Sequence, residues 1–343
     1  MTAAPSPLIA AETLLRRIDD PALRLFDCRF SLAQPELGQR AYADGHLPGA
    51  IYAHLDEHLS GPITAASGRH PLPDPARLAH WLGSCGVDHA STVVAYDDMG
   101  GAFAVRLWWL LSQWLGLGER SSERSGAGQK EGVGQVAVLD GGLQGWIAAG
   151  GELSTEVPVF EPGAFEPRHN DDRWLDTATL QSMLASNRIQ IIDARARERF
   201  NGEVEPIDPV AGHIPGAINL PLSENLDGFG RFLRPDQLRE RFQAAIGARP
   251  PTEIAHSCGS GVNACHNLLA MELAGLHGSR LYAGSWSEWI RDPTRPIATG
   301  ADCLTAITQG RRDSALAETA GLTYDQAAEL LLIERPRPAG GDG

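Results

Sequence analysis

Short apolar runs alternate with amphipathic stretches along this chain, and they do so twice in the same order. The runs around Leu25-Phe26, Thr92–Ala95, Ile191-Ile192 and Ile254–Ser257 are too short for helices and read as buried strands. Between them, Pro75–Gly83 and Pro235–Ile246 carry apolar residues at helical spacing, each with proline at the first position, where a helix needs no N–H. A long apolar helix containing Trp108 and Trp109 follows the second strand of the first half, and a helix ending at Gly275 follows its counterpart in the second. Strands that alternate with helices predict an α/β fold with a mainly parallel sheet flanked by helices.

The repetition extends to individual residues. Leu25-Phe-Asp-Cys-Arg29 followed by Gly45-His-Leu-Pro-Gly-Ala50 returns as Ile191-Ile-Asp-Ala-Arg195 followed by Gly212-His-Ile-Pro-Gly-Ala217. The closing turns correspond as well, Leu139-Asp-Gly-Gly-Leu-Gln-Gly-Trp146 against Tyr282-Ala-Gly-Ser-Trp-Ser-Glu-Trp289. Two copies are too few for a solenoid, so the expectation is two tandem domains of one fold. The first spans 18–155 and the second 183–298, with 156–182 holding a linker marked by Pro158, Pro162 and Pro167 and the start of the second domain. Glu119–Gln135 reads as a surface loop, and the extension 299–343 holds a possible helix over Ser314–Glu334.

Composition narrows the function classes. A net charge of −14 over 343 residues disfavours nucleic acid as a partner, and an anionic substrate then needs a local basic pocket. The N-terminus lacks a basic start followed by an apolar core, and no run of about eighteen apolar residues occurs. No export signal and no membrane partner are expected. Five scattered cysteines do not form a disulfide framework and suit a reducing cytoplasm.

One of those cysteines stands in a distinctive place. Cys258 follows the apolar strand Ile254–Ser257 and opens the loop Gly259-Ser-Gly-Val-Asn263 ahead of a helix. Loop amides and the helix's positive end converge there, a setting for a nucleophilic thiolate. A tenfold gain in thiolate takes about 1.4 kcal/mol, whereas an exposed helix end gives roughly 0.3–1 kcal/mol. Several amides must therefore reach the sulfur. Cys28, Cys85 and Cys303 have no such loop, Cys265 falls within the helical pattern, and all four read as small buried hydrophobes.

Other chemistries fit less well. A zinc site from Cys258, Cys265, His256 and His266 lacks the second separated ligand pair, so no metal is expected. The string Gly259 to Ala264 matches G-x-G-x-x-A, but Leu281, Tyr282 and Ala283 stand where a dinucleotide site needs an acid. A cysteine phosphatase loop needs arginine at position 264, which is alanine. No cofactor is expected, and covalent chemistry at sulfur remains. In the first half Asp97 occupies the place of Cys258, so that copy is expected to be silent and to wall one side of a cleft between the domains.

Taken together, the duplicated Asp-x-Arg and Gly-His-x-Pro-Gly-Ala elements, the loop Cys258-Gly-Ser-Gly-Val-Asn-Ala264 and the ending Gly-Ser-Trp-Ser-Glu-Trp289 resemble the two-domain rhodanese-type sulfurtransferases. The loop is similar to that of the 3-mercaptopyruvate sulfurtransferases within that family. The resemblance covers most of residues 20–297 and implies a persulfide on Cys258, loaded by a small-molecule sulfur donor and discharged to cyanide, a thiol or a thioredoxin-like dithiol. It implies Arg199 as a carboxylate-binding arginine and Ser260, His70 and Asp56 as a proton relay. Gly259, Gly261, Val262, Asn263 and Ala264 would complete the substrate cradle. A second carboxylate-binding arginine is missing, because Glu203–Ala211 is shorter than the family's version and holds none. Arg195 is a candidate replacement, although its place beside Asp193 also suits a structural ion pair. His46 and His213 occur in both copies and read as structural. Ala283 stands where the family usually has aspartate. The alternatives are a thiosulfate:cyanide sulfurtransferase and a persulfide carrier with little small-molecule turnover. The neutral Gly259 and Ser260 give a compact dianion such as thiosulfate no cation in the loop.

Overall fold

Two five-stranded sheets, each wholly parallel, form the centres of the two halves. The computed structural model describes residues 6–118 and 135–300. The expected helix over Ser314–Glu334 lies outside them, as does the loop from Glu119 up to the strand that Gln135 opens. The first sheet contains β1 (Leu8–Ile9), β2 (Leu23–Asp27), β3 (Ala50–Tyr52), β4 (Thr92–Tyr96) and β5 (Gln135–Leu139), in the order β1-β5-β4-β2-β3. The second contains β6 (Trp174–Leu175), β7 (Gln190–Asp193), β8 (Ile218–Asn219), β9 (Ile254–Ser257) and β10 (Arg280–Tyr282), in the order β6-β10-β9-β7-β8. One order maps onto the other strand by strand. The duplication read in the motifs is a duplication of topology.

Helices cover the sheets. The first half carries α1 (Ala11–Leu15), α2 (Glu36–Asp44), α3 (Pro75–Ser84), α4 (Ala104–Trp108) and α5 (Gly142–Ala148); the second carries α6 (Thr177–Ala185), α7 (Arg197–Asn201), α8 (Pro235–Ile246), α9 (Ala264–Leu273) and α10 (Ser285–Trp289). The Asp74 carboxylate accepts the Arg77 N–H at 2.8 Å, so α3 begins on an N-cap followed by Pro75. The helix expected to run through Trp108 and Trp109 changes character between them. It continues as a π-helical turn over Trp109–Trp114, which places both indoles in the core. No helix among the described residues is long and apolar enough to cross a membrane.

The two halves share one core. A single buried cluster joins Phe26, Trp108 and Trp109 of the first half to Phe242, Val262 and Leu268 of the second, with α4 packed against α9. Arg106 of α4 lies fully inside this interface. Its guanidinium donates to the carbonyls of Leu59 (3.4 Å), His70 (3.2 Å), Pro71 (3.4 Å) and, across the domains, Gly261 (3.1 Å).

The repeated motifs explain themselves locally. Arg29 grips the Asp27 carboxylate and donates to Gly45 O at 2.8 Å; Arg195 grips Asp193 and donates to Gly212 O at 2.8 Å. Each arginine thus ties a strand end to a Gly-His turn. In those turns the His46 ring stacks on Tyr42 at 3.8 Å and the His213 ring on Phe200 at 3.7 Å, and each Nδ1 bonds a helical carbonyl at 2.7 Å.

Two further histidines, His256 and His266, are buried, and His58 is half-buried. Burial pushes His58 down to about 4, His256 to about 3 and His266 to about 4. Unfolded, all three take up protons near pH 6.5, whereas the native state resists until pH 4 or below. Their stabilisation is therefore complete above pH 6.5 and is lost as pH falls toward 4. Urea midpoints should decline steadily from pH 6.5 to 4.5, with a slope in stability of up to about 4 kcal/mol per pH unit. His256→Gln should flatten that slope.

Candidate functional site

Cys258 follows directly on β9, the central strand of the second sheet, and is 2% exposed. Its sulfur accepts the N–H of Ser260 at 3.4 Å and of Gly261 at 3.2 Å, so two of the five loop amides reach it directly. The loop is fixed from behind by α10. The Ser285 hydroxyl accepts the Cys258 N–H at 3.0 Å and donates to Tyr282 O, while the N–H groups of Trp286 and Ser287 bond the carbonyls of Cys258 and Gly259. Ser285 adopts φ +52°, a left-handed conformation that a side chain rarely takes and that the surrounding bonds enforce.

The first copy contains a matching cradle. Asp97 follows β4, and its carboxylate accepts four backbone N–H groups, from Met99 (2.9 Å), Gly101 (2.8 Å), Phe103 (2.8 Å) and Ala104 (2.9 Å). The loop after each central strand is an anion cradle. In one copy a carboxylate fills it; in the other it holds a sulfur.

The first domain completes the site. The loop carrying Arg69 and His70 crosses to the second domain, where Arg69 N–H donates to Ser287 Oγ at 3.0 Å and Arg291 donates to Ser67 O at 3.2 Å. His70 Nδ1 lies 2.7 Å from Ser260 Oγ, and its Nε2 lies 3.2 Å from Asp56 Oδ1. Ser260, His70 and Asp56 therefore form a continuous chain of polar contacts from the cysteine loop to the surface. Burial holds the imidazolium of His70 below its usual range, and the bond from His70 lowers Asp56.

Cations gather on the open side of the loop. A methyl group at Gly259 would fall 2.7 Å from Arg69 Nη2 and 3.7 Å from Arg199 Nη2, so both guanidinia stand against this position. Arg199 Nη2 donates to Glu205 Oε1 at 2.7 Å, and Arg69 Nη1 is bonded to Asp208 Oδ1. Arg195 stays bound to Asp193, as Arg29 is to Asp27, but its Nη1 faces Glu205 at 3.6 Å without a hydrogen bond. Arg69 Nε and Arg199 Nε are likewise buried without a protein acceptor. Val262 and Ala264 are buried in the shared core and Asn263 opens α9, so these three support the loop from within.

Among the described residues the other cysteines are held as thiols, Cys265 close by with its Sγ on Gly261 O at 3.5 Å. Burial pushes the thiols of Cys85 and Cys265 up to about 11 and about 12. His256 faces Met271 Sδ at 3.1 Å and His266 bonds Gly100 O at 3.1 Å, so the residues of the zinc reading point to different partners. Sequence reasoning missed Arg69, Arg106, Glu205, Asp208 and Ser285. For Arg106 a signal was present, a single charge inside the apolar run Ala102–Leu111. For Arg69 it was adjacency to His70.

The profile of the rhodanese-like domain matches residues 10–149 and 176–292. The chain belongs to the rhodanese-like family, as two copies of its domain. Over 294 residues it is 50% identical to a probable 3-mercaptopyruvate sulfurtransferase of Pseudomonas aeruginosa, covering 85% of this chain and 98% of that protein. It is 38% identical over 303 residues to a putative thiosulfate sulfurtransferase of Mycobacterium tuberculosis, covering 88% of this chain and 99% of that one. A solved structure of a 3-mercaptopyruvate sulfotransferase from Escherichia coli superposes with a TM-score of 0.68 at 30% identity, covering 82% of this chain and 100% of that one.

Gly261 offers a test of the cradle. Its φ is +78°, and a Cβ there would lie 2.3 Å from Ala283 O. Gly261→Ala should cost about 1–3 kcal/mol in a denaturant titration and change the rate at which iodoacetamide alkylates Cys258. An unchanged alkylation rate would show that the loop tolerates a different path.

Proposed function

We propose that this protein is a sulfurtransferase that takes sulfur from 3-mercaptopyruvate onto Cys258 and passes it to a thiophilic acceptor. The observation that carries the choice of donor is the pair Arg69 and Arg199 beside Gly259, with buried Nε–H groups that have no protein acceptor. An α-keto acid presents a carboxylate and a carbonyl oxygen to such donors. Arg69 supplies, from the first domain, the second cation that Glu203–Ala211 lacks. The first domain is thus silent as a nucleophile and contributes through His70, Asp56 and Arg69.

In the first half-reaction the Cys258 thiolate attacks the sulfur of the donor. A sulfur–sulfur bond forms, the carbon–sulfur bond breaks, and its electron pair stays on carbon as the enolate of pyruvate. The proton of the donor thiol moves through Ser260 to His70, steadied by Asp56, and returns to carbon to give pyruvate. The persulfide remains in the cradle, where the Ser260 and Gly261 amides favour negative charge on sulfur. In the second half-reaction cyanide, a thiol or a thioredoxin-like dithiol attacks the outer sulfur, and Cys258 leaves as the thiolate. A reducing compartment such as the cytoplasm suits this cycle.

The test is kcat/KM for 3-mercaptopyruvate and thiosulfate on the whole chain, with mass spectrometry after incubation with donor alone. Cys258 should gain one sulfur atom, and Cys258→Ser should abolish both that gain and turnover. Arg199→Ala and Arg69→Ala should each lower kcat/KM for mercaptopyruvate by about 10- to 100-fold, the loss of a charge-assisted hydrogen bond. Equal losses with thiosulfate would reject the carboxylate assignment.

A further inference from the structure

Three arginines and three carboxylates meet beside Cys258. Arg69, Arg195 and Arg199 face Asp193, Glu205 and Asp208. Within this cluster formal charges cancel, in a chain that is already at −14, and Arg106 behind the loop, bonded to Gly261 O, is a cation that no carboxylate pairs among the described residues. Cancellation is accompanied by incomplete bonding. Arg69 Nε, Arg195 Nη1, Arg199 Nε and Glu205 Oε2 are buried without a hydrogen-bond partner among the described residues.

The two acids of the 203–211 segment hold their arginines differently. Glu205 Oε1 accepts Arg199 Nη2 and also the backbone N–H groups of Ile207 (3.1 Å) and Asp208 (3.0 Å), so it caps its own turn. The Asp208 carboxylate accepts from the two guanidinia only, Arg69 Nη1 on one oxygen and Arg199 Nη2 at 3.4 Å on the other. It spans the domains and stands 3.9 Å from the Cβ position of Gly259. Nothing in its backbone depends on that carboxylate. The segment is also a surface one, with Val204 and Ile207 exposed, so the side chain has solvent to move into.

We propose that Asp208 is an internal carboxylate that occupies the donor's carboxylate seat between Arg69 and Arg199, and that the donor binds by displacing it. The inference rests on the reading of an α-keto acid as donor. Exchange of one carboxylate for another leaves the charge of the cluster unchanged, so neither guanidinium is left uncompensated at any stage. Only a donor whose carboxylate reaches the arginines while its sulfur meets Cys258 completes the exchange. Asp208 thereby determines specificity as well as affinity.

The experiment is Asp208→Asn in the full chain, with Asp208→Ala as a second variant and melting curves to confirm folding. Removing the competing carboxylate should lower KM for mercaptopyruvate and the Kd of pyruvate, measured by calorimetry, by about tenfold in both variants. The value of kcat should stay within about threefold, and KM for thiosulfate should move by less than about threefold. A mercaptopyruvate KM that rises or stays put would overturn the proposal and leave Asp208 as a strut for the arginines. An equal fall for both donors would also overturn it, because Asp208 would then act through net charge. Arg69→Ala and Arg199→Ala separate the two levels. If they leave mercaptopyruvate KM untouched, the donor reading has failed; if they raise it while Asp208→Asn does not lower it, only the displacement has failed.

Discussion

A loop that closes around a negative group is the constraint on which the rest of this structure depends. After each central strand the backbone turns its N–H groups inward, and a buried donor without an acceptor costs about 1–3 kcal/mol. An anion or a polarisable acceptor in each loop removes that cost. Asp97 satisfies four N–H groups in the first domain, whereas Cys258 engages two in the second. The Asp97 loop is therefore the better satisfied one. The Cys258 loop holds its sulfur more loosely and draws its rigidity from outside, through Ser285, Trp286 and Ser287 of α10.

That dependence accounts for the two-domain form. One copy supplies the sulfur and Ser260, and the other supplies His70, Asp56 and Arg69, so neither sheet alone brings the set together. The loop of the first domain is carried to the second by bonds to Ser287 and Arg291, while the apolar packing of α4 on α9 fixes the distance between the sheets.

What the sequence discloses follows from the range of the forces involved. The alternation of strands and helices, the duplicated turns and the position of Cys258 depend on local pattern, and they can be read residue by residue. The Asp-x-Arg pairs were legible for the same reason, being two residues apart. Arg69 and Asp208 lie 139 positions apart, and their meeting depends on how the domains dock. The acidic 203–211 segment holds no arginine of its own, and the guanidinium bonded to its Asp208 from the other domain, Arg69, is invisible to local reading. The π-helical turn after Trp108 was hidden as well, since it is set by the fit of Trp109 and Trp114 into the core.

Arg106 limits how firmly the two halves can be held. Among the described residues it has no ion pair with a carboxylate; it bonds four carbonyls, one of them in the cysteine loop, and the Cys265 thiol. Apolar burial draws α4 and α9 together, but closing the interface strips water from a guanidinium whose charge no carboxylate balances. Of the four carbonyls only that of Gly261 lies across the domains, so one guanidinium ties the cysteine loop of the second half to the first-half segment that carries His70.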